Sequence, residues 1–375
     1  MSDAPSPATG LAALLWRRLH RRRPPRPVSL FEFWPSGLFY LPVALQWIGL
    51  GLRHRGLGTL TAANPRITAG GLCGESKSEV LDQVGPTARG WIAPYLTFPL
   101  GPAADAGEAA RAEARLVTAG LSYPLIAKPD LGCNGAGVRV LRDGAALARY
   151  LAEFPRGQTV VLQRFVPDPG EAGLFYVRRP DETRGRITSI TLKFSPEVVG
   201  DGRSSLRALV LADPRARRVP HFYLPRLGEA QHRVPAAGER VALSFVGNHC
   251  RGSIFRNGTD LITPALTETL DAIARTIPEF HFGRFDVRYR STAELRRGQG
   301  FTIIEINGAG SEATHIWDAE TSLVDAYAAQ FAHYRMAFEI GAANRARGFR
   351  PTSIWRVFRL WREHKCLMAR YPAND

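Results

Sequence analysis

Residues 281–310 constrain the fold of this chain more than any other stretch, because they have the pattern of two β-strands that carry acids among apolar residues. Side chains alternate between the two faces of a strand. Glu305 and Asn307 therefore share one face, Ile304 and Ile306 share the other, and Asp286 lies on the polar face of the preceding strand. A buried carboxylate without a partner is costly, so this pair of strands requires a ligand or a counter-charge.

The ligand that fits this set is Mg²⁺. Two carboxylates and an amide oxygen are hard donors, and Mg²⁺ takes its remaining ligands from waters and substrate phosphates. Arg284 and Arg288 alternate with Asp286 on the first strand, so neutralisation of the acids by arginine is the other interpretation. The two strands alone leave both open.

Composition sets broad limits. A chain of 375 residues with 45% hydrophobic residues holds two or three subdomains with a sizeable core. Its four cysteines lie far apart, which predicts reduced thiols in the cytoplasm and neither disulfides nor a zinc site. The net charge of +15 is concentrated at the two ends of the chain. Only four of the 49 basic residues are lysine, so each lysine marks a place where a compact ammonium is favoured over a guanidinium.

Residues 1–58 form a basic, aromatic N-terminal extension. Its apolar run at 37–52 is near 16 residues long, whereas a spanning helix needs roughly 20. The run fits an interfacial segment and a helix buried on the main domain equally well. Residues 341–375 predict a basic amphipathic helix in which Trp355, Phe358 and Trp361 alternate with arginines. That helix either lies on an anionic membrane surface or closes over the domain.

Residues 59–110 form a short region before the main domain. They predict a strand, a glycine-bearing loop and a helix start at which Ser76 and Glu79 have capping-box spacing. Backbone N–H groups at such a helix start favour an anion, and Lys77 adds charge there. A substrate carboxylate or phosphate is one occupant, and an ordinary capped surface helix is the other interpretation.

The main domain begins with a strand that ends in Lys128, a glycine turn containing Gly135 and Gly137, and a returning strand. No Gly-Lys-Ser/Thr follows, so this is not a Walker A loop, and strand residues stand where a Rossmann helix would start. A hairpin of this kind folds over phosphates. A strand ending at Gln163-Arg164-Phe165-Val166, an acid at Glu171 and a strand carrying Lys193 follow in order.

This ordered set of motifs resembles the ATP-grasp superfamily, and within it the carboxylate–amine ligases such as the D-alanine–D-alanine ligases. Residues 198–210 are also similar to a segment of the cyanophycin synthetases. The resemblance covers residues 111–335. It implies an α+β ATP-grasp fold at 111–340, with two α+β subdomains that clasp ATP.

The resemblance also implies roles for individual residues in nucleotide binding. Lys128 and Lys193 hold the phosphates under the glycine loop, and Lys193 has a catalytic role as well. Phe165 and Val166 form the hinge that pairs with adenine, and Glu171 binds the ribose hydroxyls. Gln163 stands where many relatives have a glutamate that contacts the adenine amine.

At the metal strands, the resemblance assigns Asp286, Glu305 and Asn307 to two Mg²⁺ (or Mn²⁺) ions. Arg284 matches the catalytic arginine that stabilises the acyl phosphate and the tetrahedral intermediate. Gly310 belongs to a turn near the acyl substrate. The sequence at 308–312 and the arginine-rich insertion at 290–299 depart from the dipeptide ligases, which argues against D-alanine as the substrate.

Taken together, these features predict an ATP-dependent ligase that activates a carboxylate as an acyl phosphate for attack by an amine. The candidates for substrate contacts are Lys77, His249, Arg251, Gly310 and His315. A kinase-like phosphotransferase and a non-catalytic nucleotide-binding protein at a membrane are the alternatives. The predicted location is the cytoplasm, with peripheral contact at the inner face of the membrane. Nucleic-acid binding rests only on the arginine-rich ends.

Overall fold

The computed structural model describes residues 28–243, 247, 252–372 and 374. The first 27 residues of the basic extension, and the substrate candidates His249 and Arg251, lie outside the described residues.

Some of the described helices lie near the two ends of the chain, and others pack against the sheets. In chain order they are α1 (Ser36–Arg53), α2 (Lys77–Asp82), α3 (Glu108–Thr118), α4 (Gly144–Glu153), α5 (Leu206–Ala212), α6 (Pro220–Leu227), α7 (Pro264–Ala274), α8 (Thr292–Arg296), α9 (Leu323–Ala346) and α10 (Ile354–Met368). None of the helices described is long and apolar enough to cross a bilayer.

The strands form two larger sheets and one hairpin. They are β1 (Tyr95–Pro99), β2 (Leu125–Pro129), β3 (Arg139–Leu141), β4 (Thr159–Arg164), β5 (Gly170–Val177), β6 (Arg186–Phe194), β7 (Glu197–Val199), β8 (Arg240–Ala242), β9 (Ile254–Asn257), β10 (Phe282–Tyr289) and β11 (Phe301–Asn307). The mixed content confirms the predicted α+β class.

The five-stranded sheet has the antiparallel order β11-β10-β5-β6-β9 and carries most of the polar residues singled out in the sequence. Its apolar face, with Phe285, Val287 and Ile303 fully buried, packs on α7 and α2. Alternation along each strand then turns the opposite face, with Asp286 and Lys193, away from that core.

The four-stranded antiparallel sheet, β1-β4-β2-β3, is covered by α3 and α4. Its core is formed by buried residues of the strands, such as Leu125 and Leu162, against Leu147 and Tyr150 of α4. The predicted strand–glycine loop–strand hairpin is confirmed, because β2 and β3 pair antiparallel on either side of the loop. The two sheets face each other across a cleft.

The N-terminal region departs from its prediction. The strand expected near the start of 59–83 is absent; Thr59–Ala63 is a 3₁₀ helix that packs against α9. Thr59, Thr61 and neighbouring residues of this turn are fully buried. The β-branched side chains of the two threonines favour a strand locally. Burial of the whole turn against α9 favours the 3₁₀ helix instead. Helix α9 spans position 340, where the sequence suggested the end of the main domain.

Helix α1 packs on the main domain, as one of the two interpretations of the apolar run expects. Phe39, Val43 and Leu50 on one side are buried against α9 and its neighbours, whereas the opposite side is exposed. The C-terminal helix α10 forms as predicted, capped by Ser353, whose side chain accepts a hydrogen bond from the Arg356 N–H.

Candidate active site

A cleft of about 740 Å³ lies between the two sheets, and it gathers nearly all of the residues singled out in the sequence. Those that line it are Lys77, Lys128, Gly135, Gln163, Phe165, Val166, Glu171, Lys193, Arg284, Asp286, Glu305, Asn307 and Gly310. Gly137 and His315 are not among the lining residues, although their neighbours Ala136, Val138, Thr314 and Trp317 are.

Pairing of β10 with β11 brings the predicted metal ligands together. Asp286 lies opposite Glu305 and Arg284 lies opposite Asn307, with a bulge directly after Asp286. Residues opposed in this way are roughly 5 Å apart at Cα, so their side chains reach the same point on the polar face.

Asp286 is buried and surrounded by donors. Arg284 donates from Nε to Oδ1 at 2.8 Å and from Nη2 to Oδ2 at 3.0 Å. Lys193 Nζ lies 3.1 Å from Oδ1, and the Asn307 amide donates to Oδ2 at 3.3 Å. Burial alone would raise the pKa of Asp286, but the charges of Arg284 and Lys193 outweigh it and lower the pKa to about 2. The carboxylate is therefore ionised.

Of the two arginines on β10, only Arg284 neutralises an acid of the predicted metal set. Arg284 does neutralise Asp286, whereas Arg288 pairs with Glu171 at 3.1 Å and donates to the Asp168 carbonyl at 3.0 Å. Glu305 lies 3.7 Å from the Lys77 ammonium.

The candidate metal donors are oxygens of Asp286, Glu305 and Asn307, although both Asp286 oxygens are engaged by Arg284 in this structure. Among the described residues no group of three or more His, Cys, Asp or Glu side chains is arranged so that it could hold a metal ion. The candidate set is instead an open one of Asp286, Glu305 and the Asn307 amide, on directly paired strands that face a large cleft. A few oxygen ligands with room for waters and phosphates is the arrangement that Mg²⁺ prefers.

Lys128 approaches from the other sheet. Its side chain is buried, and Nζ donates to Gln163 Oε1 and to the Ile304 carbonyl, both at 2.9 Å. Burial lowers the pKa of Lys128 to about 8. Gln163 also donates from Nε2 to the Ala93 carbonyl at 3.2 Å. Its amide oxygen is thus engaged by a lysine in this structure, a contact that the sequence did not indicate.

Lys193 completes the polar face of the large sheet. It lies opposite Glu171 in the β5–β6 register, with Nζ 3.3 Å from Glu171 Oε1. Glu171 is therefore held between Lys193 and Arg288.

The helix start near Lys77 is already occupied by an anion from the chain itself. Asp130 accepts from the Ser78 N–H at 2.8 Å and from the Ser76 hydroxyl at 2.6 Å, and its carbonyl accepts from the Lys77 N–H. Ser76 also caps α2, as predicted, by accepting from the Glu79 N–H. Of the two interpretations, the ordinary capped helix fits this helix end, because its N–H groups already have partners within the chain. The Lys77 ammonium does reach the cleft, where it donates to the Gly132 carbonyl.

The sequence did not point to Glu75 and His364, which are among the titratable residues that line the cleft. Glu75, two positions before Lys77, lines the cleft, and burial raises its pKa. His364 enters from α10, and burial together with the Lys77 charge lowers its pKa. The glycine-bearing loop was a signal for Glu75, whereas no local pattern points to His364.

The C-terminal residues hold the glycine loop. Tyr371 donates from its hydroxyl to the Leu131 carbonyl at 2.5 Å, and the Gly137 N–H donates to Asn374 Oδ1 at 2.9 Å. Gly137 has a φ of 69°, and a Cβ there would approach Pro129 to 2.8 Å. Gly137 therefore allows the loop to pack closely against Pro129. Gly135 lines the cleft.

Asn64 links the N-terminal region to the start of β10 by hydrogen bonds. It is fully buried; Oδ1 accepts from the N–H groups of His281 and Phe282, and Nδ2 donates to the carbonyls of Phe282 and Gly70. The turn after β11 adds a further bond, from the Gly310 N–H to the Gly71 carbonyl at 2.6 Å.

Comparison with known proteins adds similarities of fold. No family model and no curated protein matches the sequence. A D-alanine–D-alanine ligase from Bacillus anthracis is 12% identical over 74% of this chain and 70% of its own, with a TM-score of 0.43. The D-cycloserine synthetase DcsG is 14% identical over 70% of each chain, with a TM-score of 0.37.

A bifunctional glutathione synthetase from Pasteurella multocida is 14% identical over 68% of this chain, with a TM-score of 0.35. This chain spans only 36% of that enzyme's length. All of these are ligases or synthetases by name, at low TM-scores.

Proposed function

We propose that this chain is an ATP-dependent ligase that joins a carboxylate to an amine through an acyl phosphate. The observation that carries the proposal is the convergence of Lys128 from one sheet with Lys193, Asp286 and Glu305 from the other. Two ammonium groups and two opposed carboxylates in one cleft suit a triphosphate held between two subdomains. The family resemblance supports the same activity.

In the first step, an oxygen of the substrate carboxylate attacks the γ-phosphorus of ATP and the bond to the bridging oxygen breaks, giving an acyl phosphate and ADP. Phosphoryl transfer needs positioning and neutralisation of charge above all. Lys128 and Lys193 supply ammonium groups from opposite walls of the cleft. Phe165, Val166 and Glu171 line the cleft and are the residues that we assign to the adenosine.

In the second step, the amine attacks the acyl carbon, the bond from that carbon to the phosphate oxygen breaks, and the amine gives up a proton. Arg284 is positioned at the metal strands to stabilise the charge on the acyl phosphate and on the tetrahedral intermediate. Its guanidinium is fixed by Asp286 and by the Glu312 carbonyl at 3.3 Å.

Asp286, Glu305 and Asn307 are the residues that would hold Mg²⁺ or Mn²⁺, with two ions expected from the resemblance. When bound, the metal supplies positive charge next to the phosphate oxygens. We place the reaction in the cytoplasm, with peripheral contact at the inner face of a membrane through the basic, aromatic end segments.

The test is a screen of carboxylate and amine pairs for phosphate release from ATP. We expect ADP and phosphate in equal amounts, formed only when both substrates are present, and loss of the signal in Glu305→Gln. ADP with a phosphorylated acceptor and no free phosphate would identify a phosphotransferase instead. Tight ATP binding without turnover by any pair would support a non-catalytic binding protein.

A further inference from the structure

Helix α1 exposes a continuous aliphatic stripe. Leu45, Leu52 and their stripe neighbours are between 51% and 75% exposed, at alternating spacings of three and four residues. The stripe consists of Leu38, Leu41, Leu45, Ile48 and Leu52. Every other exposed position from 37 to 52 is glycine or alanine. One face of a helix thus meets solvent over about 21 Å without a polar side chain.

Helix α10 exposes aromatic residues in the same manner. Trp355 is 80% exposed, and Phe358 and Trp361 are about half exposed. Each is followed directly by an exposed arginine, at positions Arg356, Arg359 and Arg362. Large exposed apolar side chains next to cations are the pattern of a segment that lies in a membrane interface.

The loop after α1 and the segment before α10 are in contact. Residues after α1 fold back, with Trp47 donating to the Leu57 carbonyl at 3.0 Å. At the next residue, Gly58, a Cβ would overlap the Thr352 carbonyl oxygen, so the chain just before α10 passes in backbone contact. The end of the aliphatic stripe is therefore close to the start of the aromatic one.

We propose that these eight residues, Leu38, Leu41, Leu45, Ile48, Leu52, Trp355, Phe358 and Trp361, form a docking surface for an anionic lipid bilayer. Apolar side chains would enter the acyl boundary, indoles would lie at headgroup level, and the three arginines of α10 would meet anionic headgroups. The inference deepens the peripheral membrane contact proposed above; it is argued from the exposed side chains and is independent of the ligase reaction.

A second copy of the chain fits this surface less well. The α1 stripe has the spacing of a coiled-coil seam, but such seams are flanked by charged residues that select the partner. Here the flanking exposed positions are Gly37, Ala44 and Gly49. The positive charge beside the aromatic stripe would repel an identical surface and attract an anionic one.

The docking surface also borders the cleft. Tyr40 of α1 and Trp361 of α10 both line it.

The experiment is vesicle flotation of the full-length protein with phosphatidylcholine alone and with about 30% phosphatidylserine. We expect binding to the anionic vesicles and a loss of at least about tenfold in the bound fraction for L41Q/L45Q/I48Q. The matched control is V117Q/V324Q, which changes two equally exposed apolar residues elsewhere and should bind like the wild type. Trp355→Gln, a single change at an 80% exposed residue, tests the aromatic part should the triple variant misfold.

Wild-type protein that stays unbound with anionic vesicles would overturn the proposal, as would a triple variant that floats normally. Light scattering adds a further outcome. A wild-type dimer that L41Q/L45Q/I48Q converts to a monomer, with no vesicle binding by either, would assign the surface to a second copy. ATP turnover without vesicles should be the same in wild type and variants, because none of the substituted residues lines the cleft.

Discussion

Lys193 reaches Asp286 across an intervening strand, with 3.1 Å between Nζ and Oδ1. The strand between them, β5, places Gly173 opposite Asp286. A Cβ at Gly173 would lie 2.8 Å from Arg284 Cδ and 3.0 Å from Asp286 Oδ1. The missing side chain is what allows the cation and the carboxylate to meet.

Gly173→Ala should therefore damage the site from a position that carries no functional group. We expect turnover to fall by at least about tenfold, because the added methyl displaces Arg284 and Asp286 from their pair. Gly90→Ala is the matched control, since a Cβ there meets nothing within 4 Å. Equal activity of Gly173→Ala and Gly90→Ala would contradict the requirement for a glycine at position 173.

Glu305→Gln tests the metal role. The change keeps the size of the side chain but removes its charge, so turnover should fall by about 100-fold or more while the melting temperature is kept. The apparent affinity for Mg²⁺, from the dependence of turnover on metal concentration, should weaken as well. Glu268→Gln, on the exposed side of α7, is the control. Unchanged metal dependence in Glu305→Gln would remove this residue from the metal set.

Lys128 predicts a pH dependence of nucleotide binding. Its pKa is lowered to about 8, so the free protein carries the ammonium at pH 7 and loses it as the pH rises through 8. Affinity for ATP should be flat below pH 7 and fall by about tenfold between pH 8 and pH 9.5. Calorimetry at pH 8.5 in buffers of different ionisation enthalpy should show proton uptake on binding.

Lys128→Arg serves as the matched variant for this pH dependence. An arginine stays charged throughout this range, so the dependence should disappear. Affinity at pH 7 should also be weaker, because the guanidinium does not fit the contacts with Gln163 and the Ile304 carbonyl. A wild-type affinity that does not change up to pH 9.5 would separate Lys128 from the phosphates.

Asn64→Ala should destabilise the protein by about 3–5 kcal/mol, because four buried backbone groups lose their partner. Urea unfolding measures the change. Gln299→Ala, at an exposed position, should stay within about 0.5 kcal/mol of the wild type. A small effect at Asn64 would mean that the N-terminal region is not fastened at this point.

Tyr371→Phe should weaken ATP binding several-fold and leave the maximal rate unchanged, since the hydroxyl positions the glycine loop and touches no reacting group. The ring stacks on Phe154 and is kept in the variant. Tyr123→Phe, whose hydroxyl makes an exposed contact with Glu113, is the control. A change in the maximal rate alone would contradict a positioning role.

The sequence predicted the centre of the site well, because it is built from strands whose alternation is local. Asp286 and Glu305 lie on the polar faces of adjacent strands, and Lys193 lies two strands from Asp286 on the same face of the sheet, so pairing brings the three together. Ordered motifs supplied Lys128 and Glu171 in the same way. The roles assigned to these residues remain predictions.

The parts that the sequence did not predict depend on partners far along the chain. Asp130 fills the helix start at Ser78 from 52 residues away, and Asn64 binds Phe282 from 218 residues away. Helix α1 is apolar nearly all round, so its pattern does not reveal which face α9 covers. In each case, contacts between residues far apart in the chain determine the structure. No local periodicity of the sequence indicates those contacts.

Tyr371 and Asn374 hold the glycine loop through hydrogen bonds with its backbone. Asn374 lies 237 positions along the chain from Gly137, so a substitution there would act on the glycine loop from outside both sheets. Under the proposed function, such a change would alter nucleotide affinity without touching any residue of the metal set.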